Sequence, residues 1–167
     1  MLRISALVAL LLATLPAHAS ELVRQGKARL AAQDVVGAMT AFTAAVEADP
    51  ADAAAALERG KLLLMIGEPK KAIADFTSAL IADPALGRAL AHRGAAKFVL
   101  KDAAGAFADF NAAVALSAAD HEVRVIRATH HLKAGNLKAA KADLEAALPL
   151  APAAEQDKLR RFIERLR

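Results

Sequence analysis

A period of 34 residues constrains this chain more than any other feature of its 167 residues. Phe42, Phe76, Phe110 and Leu144 stand 34 apart, and so do Gly26, Gly60, Gly94 and Ala128. Ala38, Ala72, Ala106 and Ala140 keep the same register, as do Ala45, Ala79, Ala113 and Ala147. Pro50, Pro84 and Pro152 share it, with Ala118 standing where a further Pro would fall. No insertion breaks any series. A unit this short cannot bury an apolar face alone, so successive units must stack and share one continuous core.

Local chemistry says what each unit is. Hydrophobic residues make up 56% of the chain but aromatics only 4%, with no Trp and no Tyr. The apolar content is mostly Ala and Leu, the strongest helix formers. Asp34, Glu68, Asp102 and Asn136 fall 34 apart, each where a second helix would begin. Asp and Asn there can cap free N–H groups, and a carboxylate complements the helix dipole. Pro69 follows at the first helical position, where its missing N–H costs nothing. Gly67 and Gly135 suit the left-handed residue that ends a first helix. Asp49 and Asp83, each before a Pro, end second helices, because such a residue is pushed out of the α region. Each unit therefore reads as helix, short turn, helix.

A small residue, then Ala, an aromatic, Ala and Pro at a period of 34 resembles the tetratricopeptide repeat (TPR). The resemblance covers Glu21 to about Pro152, with Arg59, Gly60, Ala72 to Phe76, Ala79 and Leu80 matching closely. The family's usual Trp falls here on Leu22, Ala56, Leu90 and Arg124, and its usual Tyr on Arg29, Leu63, Lys97 and His131. The resemblance implies an all-α fold, a right-handed α–α superhelical solenoid of helix-turn-helix repeats. The repeats are expected at 20–52, 53–86, 87–120 and 121–152, followed by a C-terminal capping helix at 153–167. In that helix Leu159, Phe162, Ile163 and Leu166 form one stripe, suited to covering the last repeat. A partner-binding or membrane-surface helix is the competing reading.

Within the array, Arg59 and Asp75, Arg93 and Asp109, and Arg127 and Asp143 are each 16 apart. In the first repeat both members change together, to Gln25 and Ala41. Each pair is expected to join the two helices of one hairpin or to link it to the next.

The N-terminus has the layout of a secretory signal. Met1 to Arg3 is a short positive start, Ile4 to Leu15 is apolar, Pro16 ends the run, and Ala17 and Ala19 flank His18 at a cleavage site. The expected cut lies between Ala19 and Ser20, so residues 1–19 are a signal peptide and the mature chain is exported, most readily to a periplasm. An uncleaved anchor or a buried amphipathic helix are the alternatives. The apolar run falls well short of the roughly 20 residues of a spanning helix, so no stable membrane anchor is expected after cleavage.

Several chemistries are excluded. Cysteine is absent, which removes disulfides, thiol catalysis and Cys-based metal sites. The formal net charge of +4 is spread along the chain without the like-charge blocks of a nucleic-acid binder. Four serines occur and none has a glycine-framed elbow, while glycines stand singly rather than in phosphate-binding loops. His130 and His131 are adjacent, so they point apart on a helix, and no histidine pair has the i, i+4 spacing of a metal site. His131, in the aromatic slot, is expected to pack in the core. No catalytic residue, metal or cofactor is expected.

The resemblance further implies that first helices line a concave face that receives a peptide or helix. Projected here, the peptide-binding face comprises Val23, Lys27, Leu30, Leu57, Lys61, Leu64, Arg88, Ala91, Phe98, Val125, Thr129 and Leu132. Met65 lies at its margin. The stripe holds no Asn, so the Lys–Asn grip on a C-terminal carboxylate used by some family members is not expected. The expected partner is a protein or peptide segment, acidic and partly apolar, and self-association by stacking is open. The functional expectation is a non-catalytic interaction scaffold or assembly factor in the cell envelope, or alternatively a regulatory or accessory subunit of an envelope enzyme.

Overall fold

A computed structural model describes residues 2–166, with side chains over 17–166. It is all-α among the described residues: α1 (Leu2–Ala31), α2 (Val35–Ala48), α3 (Ala53–Met65), α4 (Pro69–Ala82), α5 (Gly87–Val99), α6 (Ala103–Leu116), α7 (His121–Lys133), α8 (Leu137–Ala147) and α9 (Ala153–Arg165), with a 3-10 turn at Leu148–Leu150. Two compact units divide the chain, Met1–Pro84 and Ala85–Arg167. In the first, α1 pairs with α2 and α3 with α4; in the second, α5 pairs with α6 and α7 with α8. Within each unit the first helices of the two hairpins also touch, α1 on α3 and α5 on α7.

The side chains of residues 1–16, which carry the apolar run of the expected signal, lie outside the described residues. No helix among the described residues is long and apolar enough to cross a membrane.

One turn is used four times. Gln33, Gly67, Lys101 and Gly135, again 34 apart, all have positive φ of 62, 83, 69 and 78°. The next residue's N–H then reaches back to the third-last residue of the first helix: Asp34 to Arg29 O, Glu68 to Leu63 O, Asp102 to Lys97 O and Asn136 to His131 O, at 2.8–3.0 Å. This is the Schellman closure, which satisfies carbonyls the helix leaves free. Glycine was legible at two of the four positions; Gln33 and Lys101 hold the same conformation at a steric cost. The second helix then starts on a cap. Asp34 accepts from Gly37 N and Asp102 from Gly105 N, whereas Glu68 and Asn136 make no side-chain cap, so Asn136 does not fill the capping role its identity suggested.

The hairpins close where a glycine meets a phenyl ring. A Cβ built on Gly60 would lie 2.6 Å from Phe76 Cε1, and one on Gly94 2.8 Å from Phe110 Cε1. Gly26 abuts the Phe42 ring in the same way. All three Phe are fully buried. The rings therefore fill the crossing inside each hairpin, and Phe42 and Phe110 also reach the neighbouring one, joining Ala55 and Leu62 of α3 and His130 of α7 respectively. In the fourth hairpin both partners change together: Ala128 and Leu144 are buried at 0 and 1% exposure. The aliphatic Leu leaves room for the extra methyl, as volume-conserving packing requires.

Three ion pairs, each on a buried carboxylate, brace the second, third and fourth hairpins. Arg59 donates to both oxygens of Asp75 at 2.7 Å, Arg93 to Asp109 at 2.8 and 2.9 Å, and Arg127 to Asp143 at 2.8 and 2.5 Å. All three join the two helices of one hairpin, the first of the two expected arrangements. Beyond the fourth hairpin, Leu159, Ile163 and Leu166 of α9 pack on the Ala128, Ala140 and Leu144 core. Phe162, placed on that stripe in the sequence, is instead 41% exposed.

Candidate functional site

The expected ligand face lies on the first helices, and burial sorts its twelve residues. Val23 and Leu57 are 7% exposed and Ala91 is fully buried, so these three are core and offer no side chain to a ligand. On a short helix that is apolar almost all round, neighbouring first helices claim this position. Leu30, Leu64, Phe98, Val125 and Leu132 are half-buried, with Leu30, Val125 and Leu132 seated on the cores of their hairpins. Lys27, Arg88 and Thr129 are exposed, and Lys61 is half-buried. Met65, at the margin, is exposed.

The three cations of the expected face are engaged by carboxylates. In the first unit, Lys27 of α1 and Lys61 of α3 each lie 3.0 Å from a carboxylate oxygen of Glu58, whose side chain is 11% exposed. Burial alone would raise the Glu58 carboxyl, but Lys61, and then Lys27, hold it below the usual carboxylate range. Two ammoniums thus share one carboxylate, leaving one positive charge in excess. In the second unit Arg88 faces Asp120 at 2.6 Å and Glu122 at 3.1 Å, an excess of one negative charge. Burial works against the Asp120 charge, yet the Arg88 guanidinium keeps that carboxyl low. The sequence stripe showed the cations and omitted Glu58, one helical turn before Lys61, and Asp120 and Glu122, which the next hairpin brings to Arg88. Glu58, at the position of Arg24, His92 and Ile126 in the other repeats, could have been found by extending the stripe one residue.

The cavity that two of the expected residues share lies in the second unit. It measures about 520 Å³ and is lined by Val125 and Thr129 of α7, Leu144 of α8, and Glu155, Lys158, Leu159 and Phe162 of α9. Its wall is mainly apolar. Thr129 Oγ1 donates back to Val125 O at 2.8 Å, leaving its lone pairs to accept. Glu155 is held by His121 at 3.2 Å, and Lys158 has no ion-pair partner among the described residues. The α9 contribution was not foreseen, because α9 was read as a cap alone. A larger depression, about 660 Å³, runs along the start of α8 beside Leu137 and involves no first helix.

Phe98 belongs to a ring cluster. Its centroid lies 6.2 Å from Phe107 and 5.1 Å from His130, edge to face in both cases. His130 also stacks at 4.8 Å on Phe110, and His131 at 4.7 Å on Phe107. Core packing was expected of His131, and it is half-buried on that ring; the more deeply buried of the two is His130, 6% exposed. Desolvation holds both imidazoles below the ordinary histidine value. Among the described residues no group of three or more His, Asp and Glu is placed to hold a metal ion.

No family model matches the chain, and no curated protein matches it by sequence. Solved structures do match by fold. MamA protein aligns at TM-score 0.62 and 21% identity, over 89% of this chain and 87% of that one. The second TPR of Spaghetti (RPAP3), bound to the HSP90 peptide SRMEEVD, aligns at 0.58 and 26% identity over 60% of this chain and 94% of that one. The TPR2B domain of yeast Sti1, in complex with an Hsp70 peptide, aligns at 0.59 and 26% identity over 75 and 98%. Helical hairpins at a 34-residue period, closed by glycine against phenylalanine and matched by these domains, give this chain the tetratricopeptide-repeat fold.

Proposed function

We propose that this chain is a non-catalytic interaction scaffold that holds a segment of another protein on its first-helix face. The observation that carries this is the apolar cavity at Val125, Thr129, Leu159 and Phe162, where side chains expected to meet a ligand share a concave wall with a large exposed aromatic. A partly apolar segment suits it: one side chain enters the cavity while backbone polar groups remain in water or meet Thr129 and Lys158. Solved TPR domains of this fold carry bound peptides, which supports the same use here. An acidic portion of the partner would suit the first unit, where Lys27 and Lys61 outnumber Glu58, and not the second, where Arg88 is outnumbered.

The reading extends to export and an assembly role in the cell envelope. Register supports a separable leader: the 34-residue period carries Ala53, Gly87 and His121, the first residues of α3, α5 and α7, back onto Ala19. Residues 1–18 thus precede the repeat, and cleavage after Ala19 would leave a first helix of ordinary length. Intact mass of the exported chain should begin at Ser20; retention of Met1 to Ala19 would overturn the export reading. For the site, Val125→Asp with Phe162→Ser should weaken the purified cognate complex at least tenfold without lowering the melting midpoint of the first unit. An unchanged affinity would place the site elsewhere.

A further inference from the structure

We propose that His130 and His131 form an acid-sensitive latch that seats the fourth hairpin on the third and releases it as pH falls. Both imidazoles lie where α7 meets the preceding hairpin. His130 packs on Phe98 of α5 and Phe110 of α6, and His131 on Phe107 of α6. Burial at His130 and hydrogen bonding at His131 show why neither can accept a proton at no cost. His130 Nδ1 lies 2.8 Å from Ile126 O, so Nδ1 carries the hydrogen of the neutral ring and donates to that carbonyl. Protonation would place the second N–H on Nε2 and a charge on a ring that is 6% exposed and packed on Phe98 and Phe110. His131 Nδ1 is buried with no hydrogen-bond partner, so its neutral ring carries the hydrogen on Nε2. Protonation there creates a buried N–H with no acceptor, a group that costs free energy.

The surrounding charges do not offset this. Lys133 and Arg127 on α7 oppose protonation, and Asp143 on α8, which favours it at His131, is already bound to Arg127. On α5 and α6, Arg93 and Lys97 both pair with Asp109, so that carboxylate is already engaged by two cations. The C-terminal end of α7 favours a cation through its dipole, but burial outweighs it, and both rings are harder to protonate folded than unfolded. The folded state then binds fewer protons, so stability is full above the ordinary histidine value of 6.5 and falls as pH drops below it. Each histidine contributes up to about tenfold in the closed-to-open equilibrium per pH unit over that window. Opening would also free Phe98 from His130; only that consequence, loss of the ligand face, rests on the scaffold reading.

The test needs no ligand, so it stands or falls apart from the site proposal. NMR titration of the full chain should find both imidazoles protonating below 6.5. Hydrogen exchange, corrected for intrinsic rates, should speed at least about tenfold in α7 and α8 between pH 7.5 and 5.5, with little change in α1 to α4. His130→Phe with His131→Tyr should abolish that step. Rings that titrate at or above the ordinary value, absence of an acid step in α7, or a step that persists in the double variant would each overturn the latch. The ring titration decides the matter even where the double variant folds poorly.

Discussion

The first hairpin and the third solve one packing problem with different chemistry. α1 and α2 close on Gly26 against Phe42, α5 and α6 on Gly94 against Phe110, and both rings are fully buried. Both hairpins turn through a non-glycine residue at positive φ, Gln33 or Lys101, and cap the second helix with Asp34 or Asp102. Only the third adds the buried ion pair of Arg93 with Asp109, to which Lys97 contributes at 2.8 Å. The first has Gln25 and Ala41 in those places. The hairpin is therefore made by the ring-on-glycine crossing, and the ion pair is an addition to it. A buried pair is weak evidence of net stabilisation, although breaking one partner is costly.

If the crossing is common ground, Phe42→Ala and Phe110→Ala should each destabilise their own unit by about 3–5 kcal/mol, read as a fall in the urea midpoint. A loss in only one hairpin would break the equivalence. The ion pairs should separate next. Arg59→Met leaves the Asp75 carboxylate buried without its partner and should cost about 3 kcal/mol. Arg93→Met should cost less, about 1–2 kcal/mol, because Lys97 still neutralises Asp109. The double change Arg59→Gln with Asp75→Ala imports the chemistry of the first hairpin and should recover most of that loss in chemical denaturation. Equal costs at Arg59 and Arg93 would show that Lys97 contributes nothing. The smallest effect concerns the shared turn: Gln33→Gly and Lys101→Gly should each raise stability by about 0.5–1 kcal/mol, since glycine bears no penalty at positive φ.

What the sequence revealed divides along the same line. Anything repeated at 34 residues was legible: the crossing, the ion pairs and the start of each second helix. The turn was half legible, because Gly67 and Gly135 announce a left-handed residue and Gln33 and Lys101 adopt it under the force of the closure around them. The expected ligand face was least legible. Its stripe held Val125 and Thr129, which line the cavity, but periodicity cannot tell a helix position facing solvent from one covered by the next helix, and Val23, Leu57 and Ala91 proved buried. Nor could a stripe of cations reveal Glu58, Asp120 and Glu122, because ion pairing between elements is a property of the packed hairpins. The role of Phe162 was hidden for the same reason: α9 packs through Leu159, Ile163 and Leu166, and the ring turns to the cavity instead.

A partner segment is proposed to lie on the first-helix face of the second unit. Site-specific photo-cross-linking compares that face with the second helices directly, using a probe at Thr129 and a control at Val36, which is 78% exposed on α2. One partner should cross-link from Thr129, reduced at least tenfold by Phe162→Ser, and none from Val36. The same partner captured from Val36 and not from Thr129 would contradict it.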